Sequence, residues 1–178
     1  MIRFLLGHQE QTITSFDPNT SILVYLREHL HRTGTKESCA TGDCGACTVV
    51  LGEIDPTEGA GKKLRYRSVN ACITGLGALQ GRQLITVEDL KHDGNLHAVQ
   101  QVLVDHHGSQ CGFCTPGIVM SLFAHRKSHQ GNSRVNVIES LCGNLCRCTG
   151  YRPLIDAARD LNSRSRDDQF AEKEDSTA

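Results

Sequence analysis

The sequence predicts an α+β fold in two parts, on three observations. Strand-like and helix-like runs alternate up to about residue 91, helical periodicity alone continues to about residue 162, and the nine cysteines are concentrated in two groups, one centred in each part. Only 4% of the 178 residues are aromatic and none is Trp, so large apolar side chains are scarce and cysteine chemistry is the obvious additional support.

In the first part, "IRFLL" and "QTITSF" flank Gly7-His8 as a hairpin. "TSILVYLREHL" places Leu23, Leu26 and Leu30 on one helical stripe, started by Thr20 or Ser21 as the cap. "CTVVLGEI", the polar loop "DPTEGAGKK" and "LRYRSV" predict strand, loop and strand. A short helix over "NACITGLGAL" and the strand "QLITV" follow. Beyond Lys91-His92-Asp93-Gly94 the pattern is helical. "NLHAVQQVLVDHH" sets Leu96, Val99, Leu103 and His106 on one face under an Asn95 cap. "TPGIVMSLFAHRKSH" offers Thr115 as cap with Pro116 at the first helical position, where its missing N–H costs nothing. "SRVNVIESL" and "RPLIDAARDL" add two more amphipathic pieces, so four short helices predict a bundle. The domains are thus expected at 1–91 and 92–162, with the polar stretch 163–178 as a disordered tail.

The formal net charge of -1 provides no basic field for nucleic acid or an anionic membrane, so neither partner is expected. "MIRFLLGHQEQT" has too brief an apolar run for a signal peptide, and no later run could span a bilayer. A cytoplasmic protein is the expectation, although a folded cofactor protein can also be exported by carriage with a partner. A reducing compartment and an odd number of cysteines both argue against a disulfide framework and favour thiolate ligation of metal.

The first cysteine group is Cys39, Cys44 and Cys47 in "CATGDCGAC", followed by Cys72 in "VNACIT". Four, then two, intervening residues and a distant fourth cysteine match the plant-type ferredoxin spacing for a [2Fe-2S] cluster. Gly42 and Gly45 permit the close, unusual backbone such a loop needs. Structural zinc is the rival. The second group is Cys111 and Cys114 in "QCGFC", then Cys146 and Cys148 in "LCRC", a spacing that could hold zinc as well as iron. Helix starts after Cys114 and Cys148 would favour a negative metal–thiolate site of either kind. Helical flanks argue against a dithiol redox motif at "CGFC", and the absence of any C-x-H pair argues against a Rieske site. Cys146 and Cys148 would diverge by about 200° on a helix, so they must lie in non-helical backbone after a stop at Gly143-Asn144. Cys142, left over from two sets of four, is expected to pack in the core beside Ile138 and Leu141.

Other motifs carry less. "GLGALQG" has Gln80 where a dinucleotide loop has its third glycine, and "EGAGKK" lacks the leading Gly and trailing hydroxyl of a phosphate loop. His106-His107 and "HRKSH" read as surface or core histidines, since neighbours on a helix diverge by about 100°.

Together, "GTKESCATGDCGACTV", "VNACI", "GSQCGFCTPG" and "GNLCRCTGYRP" resemble the iron-sulfur part of the molybdenum hydroxylases, the xanthine dehydrogenase and aldehyde oxidase family. The resemblance runs from about Met1 to Leu161, and its wording looks most like bacterial xanthine dehydrogenase small subunits. It implies a plant-ferredoxin-like β-grasp domain and a four-helix domain, each carrying one [2Fe-2S] cluster. It also implies an electron route from a molybdenum cofactor through the two clusters to FAD and then NAD. The glutamine of the "QCGFC" motif, here Gln110, is implied to hydrogen-bond the pterin of the partner's molybdenum cofactor. The resemblance further implies a molybdenum-cofactor large subunit as partner, and FAD either on a separate subunit or in a domain missing from this chain. No hydroxylation is expected from this chain alone. A stand-alone ferredoxin-like carrier, a zinc module and the small subunit of an aldehyde, N-heterocycle or carbon monoxide enzyme remain alternatives.

Overall fold

The structure, a computed structural model, describes residues 1–55, 64–128 and 133–161. Most of the "DPTEGAGKK" loop, His129 of "HRKSH" and the 163–178 tail therefore lie outside the described residues. Five strands, β1 (Ile2–Leu6), β2 (Gln9–Ile13), β3 (Thr48–Ile54), β4 (Leu64–Asn70) and β5 (Gln83–Ile85), form a mixed sheet ordered β2-β1-β5-β3-β4. The hairpin predicted around Gly7-His8 is present, in register Leu6↔Gln9, with Gly7 at φ 57° closing the turn. β5 returns parallel to β1 and antiparallel to β3, which closes the middle of the sheet.

The first helix is less regular than its periodicity suggests. α1 (Ile22–Val24) is capped by Ser21, whose Oγ accepts from Val24 N at 3.2 Å, and then widens into a π-helical turn, Tyr25–His29. Leu23 and Leu26 are buried under the sheet as the stripe requires, and Leu30 packs beside them half-buried. The short helix predicted over residues 70–79 is reduced to a 3-10 turn, Leu76–Leu79.

Four helices follow: α2 (Ala98–Asp105), α3 (Thr115–Lys127), α4 (Arg134–Leu141) and α5 (Arg152–Leu161). α2 starts two residues later than Asn95 implies. His97 Nδ1 accepts from Val99 N at 3.1 Å, and Gln100 Oε1 accepts from His97 N at 3.0 Å, a reciprocal capping box. Asn95 is occupied in a turn with His92, so Leu96 falls outside the helix and is exposed. α3 begins one residue earlier than its Thr115 cap implies, making Cys114 the N-cap.

β3 decides how the parts fit. Its residues Thr48–Gly52 are all buried, so both faces of the strand are covered. Val49 and Leu51 face a core with Phe4, Leu23, Leu26 and Leu84, whereas Val50 faces the opposite way with Ile85, Val119 and Phe123. The helical part is therefore the second cover of the sheet. α3, lying between sheet and helices, is buried from Gly117 to His125 with no polar face.

Candidate iron-sulfur centres

Each cysteine group folds into a turn that brings distant sulfurs together in pairs. In the first, Cys44 N donates to Cys39 Sγ at 3.4 Å, and Cys72 lies near enough to Cys47 to act on the ionisation of its thiol. Cys47 ends the loop that leads into β3 and Cys72 follows β4, so the β3–β4 ladder, register Thr48↔Asn70, carries a residue 25 positions away onto the loop. Ala40, Gly42 and Gly45 all adopt left-handed backbone at φ 55°, 86° and 69°, which curls the loop.

In the second group Cys111 pairs with Cys148 and Cys114 with Cys146. Each pair takes one sulfur from the turn before α3 and one from the segment between α4 and α5. That segment is non-helical, as the C-x-C spacing demands. Tyr151 braces it: its hydroxyl accepts from Cys146 N at 2.7 Å and donates to the Asn144 carbonyl at 3.2 Å. Thr149 Oγ1 lies 3.0 Å from Cys146 Sγ. Of the two helix starts expected near the sulfurs, α3 begins directly after Cys114, its N-cap, whereas α5 begins four residues beyond Cys148.

The protonation pattern follows from the pairing. Hydrogen bonds from the Thr41 side chain and backbone, and from Cys44, bring the Cys39 thiol down to about 6, while burial pushes Cys47 up to about 12. Burial likewise pushes Cys114 up to about 12. Burial also opposes ionisation of its partner Cys146, but the Thr149 bonds and the Cys114 thiol outweigh it and lower the pKa. Cys111 is lowered by the Phe113 backbone, and Cys148 is raised by donating to Cys111. The 111–148 and 114–146 pairs therefore each combine a thiolate-leaning and a thiol-leaning sulfur, because two adjacent anions repel unless a cation lies between them. Among the described residues no three His, Cys, Asp or Glu side chains are arranged to hold a single ion. Sulfurs meeting two by two, with low-pKa members and left-handed turns, fit a two-iron core, in which each iron takes two thiolates.

Gln110 is exposed beside Cys111. Cys142 departs from expectation: it is exposed, not in the core. It is the C-cap of α4, where the chain leaves the helix, and of its expected neighbours only Leu141 is buried. Histidine placement is mixed, with His125 buried and His106 Nε2 3.1 Å from Asp160 Oδ2 of α5. Asn144, expected only as part of the helix stop Gly143-Asn144, is instead a buried amide bonded to Gly45, Thr48 and Ser121, and nothing local distinguishes a cap from a buried amide. Thr149 and Tyr151 carry no such mark in the sequence.

Comparison with known proteins agrees with this geometry. Residues 6–76 match the family described as "2Fe-2S iron-sulfur cluster binding domain", and residues 86–159 match the "[2Fe-2S] binding domain" family. The chain is 51% identical over 162 residues to a xanthine dehydrogenase of Emericella nidulans, covering 91% of this chain and 12% of that protein. It is 44% identical to aldehyde oxidase 2 of Rattus norvegicus, covering 89% of this chain and 12% of the relative. It superimposes on a chain of quinoline 2-oxidoreductase from Pseudomonas putida 86 with TM-score 0.78 and 31% identity, covering 94% of this chain and 96% of that one. The chain thus spans about an eighth of the curated relatives it matches. With a [2Fe-2S]-binding domain on each cysteine group, the chain belongs to the xanthine dehydrogenase and aldehyde oxidase family of molybdenum hydroxylases, as an iron-sulfur electron-transfer part of such an oxidoreductase.

Proposed function

We propose that Cys39, Cys44, Cys47 and Cys72 hold one [2Fe-2S] cluster and that Cys111, Cys114, Cys146 and Cys148 hold the second. The observation that carries this is that each set of four cysteines lies inside a stretch matching a [2Fe-2S]-binding family, residues 6–76 for the first and 86–159 for the second. When bound, the clusters supply one-electron chemistry; the chain supplies thiolates, a left-handed loop at Gly42 and Gly45, and the start of α3 at Cys114. Residues 1–91 form the ferredoxin-like β-grasp unit and 92–162 the four-helix unit of this scheme. Gln110 contacts the pterin of a molybdenum cofactor on a partner subunit, which is consistent with its exposure beside Cys111.

The whole assembly is a xanthine dehydrogenase-type enzyme in which electrons leaving the molybdenum centre reach FAD, and then NAD, by way of this chain. FAD belongs to another subunit or to a further domain, and the assembly works in the cytoplasm. Among the described residues no helix is long and apolar enough to cross a membrane. A second reading, favoured by the match to the quinoline enzyme's chain over 96% of its length, is the same role in an enzyme oxidising another N-heterocycle or an aldehyde.

Iron and acid-labile sulfide should each approach about four per chain, with two reducible signals by electron paramagnetic resonance (EPR). Zinc without labile sulfide would sink the proposal. Assay of the copurified complex with hypoxanthine, quinoline and aldehydes separates the two substrate readings. A chain that copurifies with no molybdenum or flavin subunit but exchanges electrons with a soluble reductase would instead be a free carrier. Gln110→Ala should slow transfer from the molybdenum centre while leaving both clusters assembled, as read by rapid-freeze EPR.

A further inference from the structure

Between the two cysteine sets lies a small buried polar network centred on Asn144. Asn144 is 4% exposed, and its hydroxyl partners Thr48 and Ser121 are 5% and 6% exposed. Asn144 Nδ2 donates to the Gly45 carbonyl at 3.0 Å and to Thr48 Oγ1 at 3.3 Å, while Oδ1 accepts from Ser121 Oγ at 2.6 Å. Gly45 sits between Cys44 and Cys47, and Asn144 stands two residues before Cys146. One residue on, Leu145 N donates to the Cys44 carbonyl at 2.9 Å. The backbones touch here. A Cβ on Gly45 would run into the Gly143 carbonyl and Asn144, and a Cβ on Gly117, at the start of α3, would run into the Gly45 carbonyl.

A buried amide satisfied at both ends adds little net stability, but it specifies register strongly, because any slide leaves donors and acceptors unpaired away from water. Resting on the cluster assignment above, we propose that Asn144 is a positioning residue for electron passage between the two centres. By tying the loop of the first cysteine set to the loop of the second, it fixes their spacing and mutual orientation. It also holds Cys44 and Cys146 on a short path of backbone bridged by the Leu145 N–H to Cys44 carbonyl bond. Passage moves one electron from one set to the other, with no bond broken and no proton transferred, so the residues contribute geometry alone.

The test uses the full chain carrying both clusters and the variant Asn144→Asp, which keeps the side chain's size and the Oδ1 acceptor but removes the Nδ2 donor. Dithionite reduces both centres, and their magnetic interaction then splits the EPR lines to an extent that depends on distance and orientation. Asn144→Asp is expected to keep the iron and labile sulfide content and each centre's own g values. Its splitting should change, and its intercluster rate after flash photoreduction should fall by about tenfold. Unchanged splitting and rate with both clusters present would overturn the proposal. If Asn144→Asp loses a cluster, Ser121→Ala decides on the same two readouts: a change supports the role, and no change overturns it. Failure of the underlying assignment is separate, since it would show in the unmodified chain as zinc or as missing labile sulfide.

Discussion

Cysteine roles divide according to what each thiol touches. Cys148 is paired with Cys111, whereas Cys142 sits exposed at the end of α4. Cys148→Ala should therefore remove about half of the bound iron and one EPR signal, and Cys142→Ala should leave iron content unchanged; iron analysis of the two purified variants checks both. Raised thiols also set a pH dependence. Cys47 and Cys114, pushed to about 12 mainly by burial, are protonated at neutral pH in the metal-free chain, while Cys39, at about 6, is largely ionised there already. Metal binding must displace the first two protons, so assembly should release protons and be favoured as pH rises, and acid should reverse it. Calorimetric reconstitution in buffers of different ionisation heat measures that release, and a heat independent of buffer would contradict it. The motifs C-x4-C-x2-C, C-x2-C and C-x-C are legible in the sequence because their spacings are short. The exposure of Cys142 is not, since a helix's last turn shows in sequence but the direction in which its side chain leaves the molecule does not.

At the scale of elements, periodicity located every helix of the second part, yet two of its starts moved. α2 starts at His97 because Gln100 reaches back to cap it and also donates to the Val87 carbonyl at 3.1 Å, anchoring the helix to the segment after β5. His97 also meets the Phe123 ring edge-on at 5.4 Å. His97→Ala should then cost about 1–2 kcal/mol, from the lost cap and ring contact together, measured by urea unfolding; a change confined to a few tenths would place the cap elsewhere. α3 starts at Cys114 because the turn that pairs Cys114 with Cys146 also delivers the chain into the helix. Pro116 stays within the first turn and is accommodated there. Apolar spacing fixes the buried stripe of the first helix but not its π-helical turn. Leu30 N reaches the Tyr25 carbonyl at 3.1 Å, a widening that carries no mark in apolar spacing.

Across the whole molecule, one sheet serves both parts. Phe123 of α3 is fully buried and meets Tyr66 of β4 at 6.3 Å as well as His97, so it joins sheet, α2 and α3 in one core. Phe123→Ala should cost about 3–5 kcal/mol, and the two parts should lose stability together in a single denaturation transition. Separate transitions, with the ferredoxin-like part unaffected, would show that the shared core does not couple them. By itself the sequence determined the order of strands and helices, the two cysteine sets and that they suit thiolate ligation of a metal, because propensity, periodicity and ligand spacing act over a few residues. Only the tertiary structure decided that the helical part covers the second face of β3, that sulfurs pair between segments, and that Asn144 bridges the two cysteine loops. Those outcomes depend on groups tens of residues apart meeting within a few ångströms, and burial there turns an ordinary amide or thiol into a committed partner.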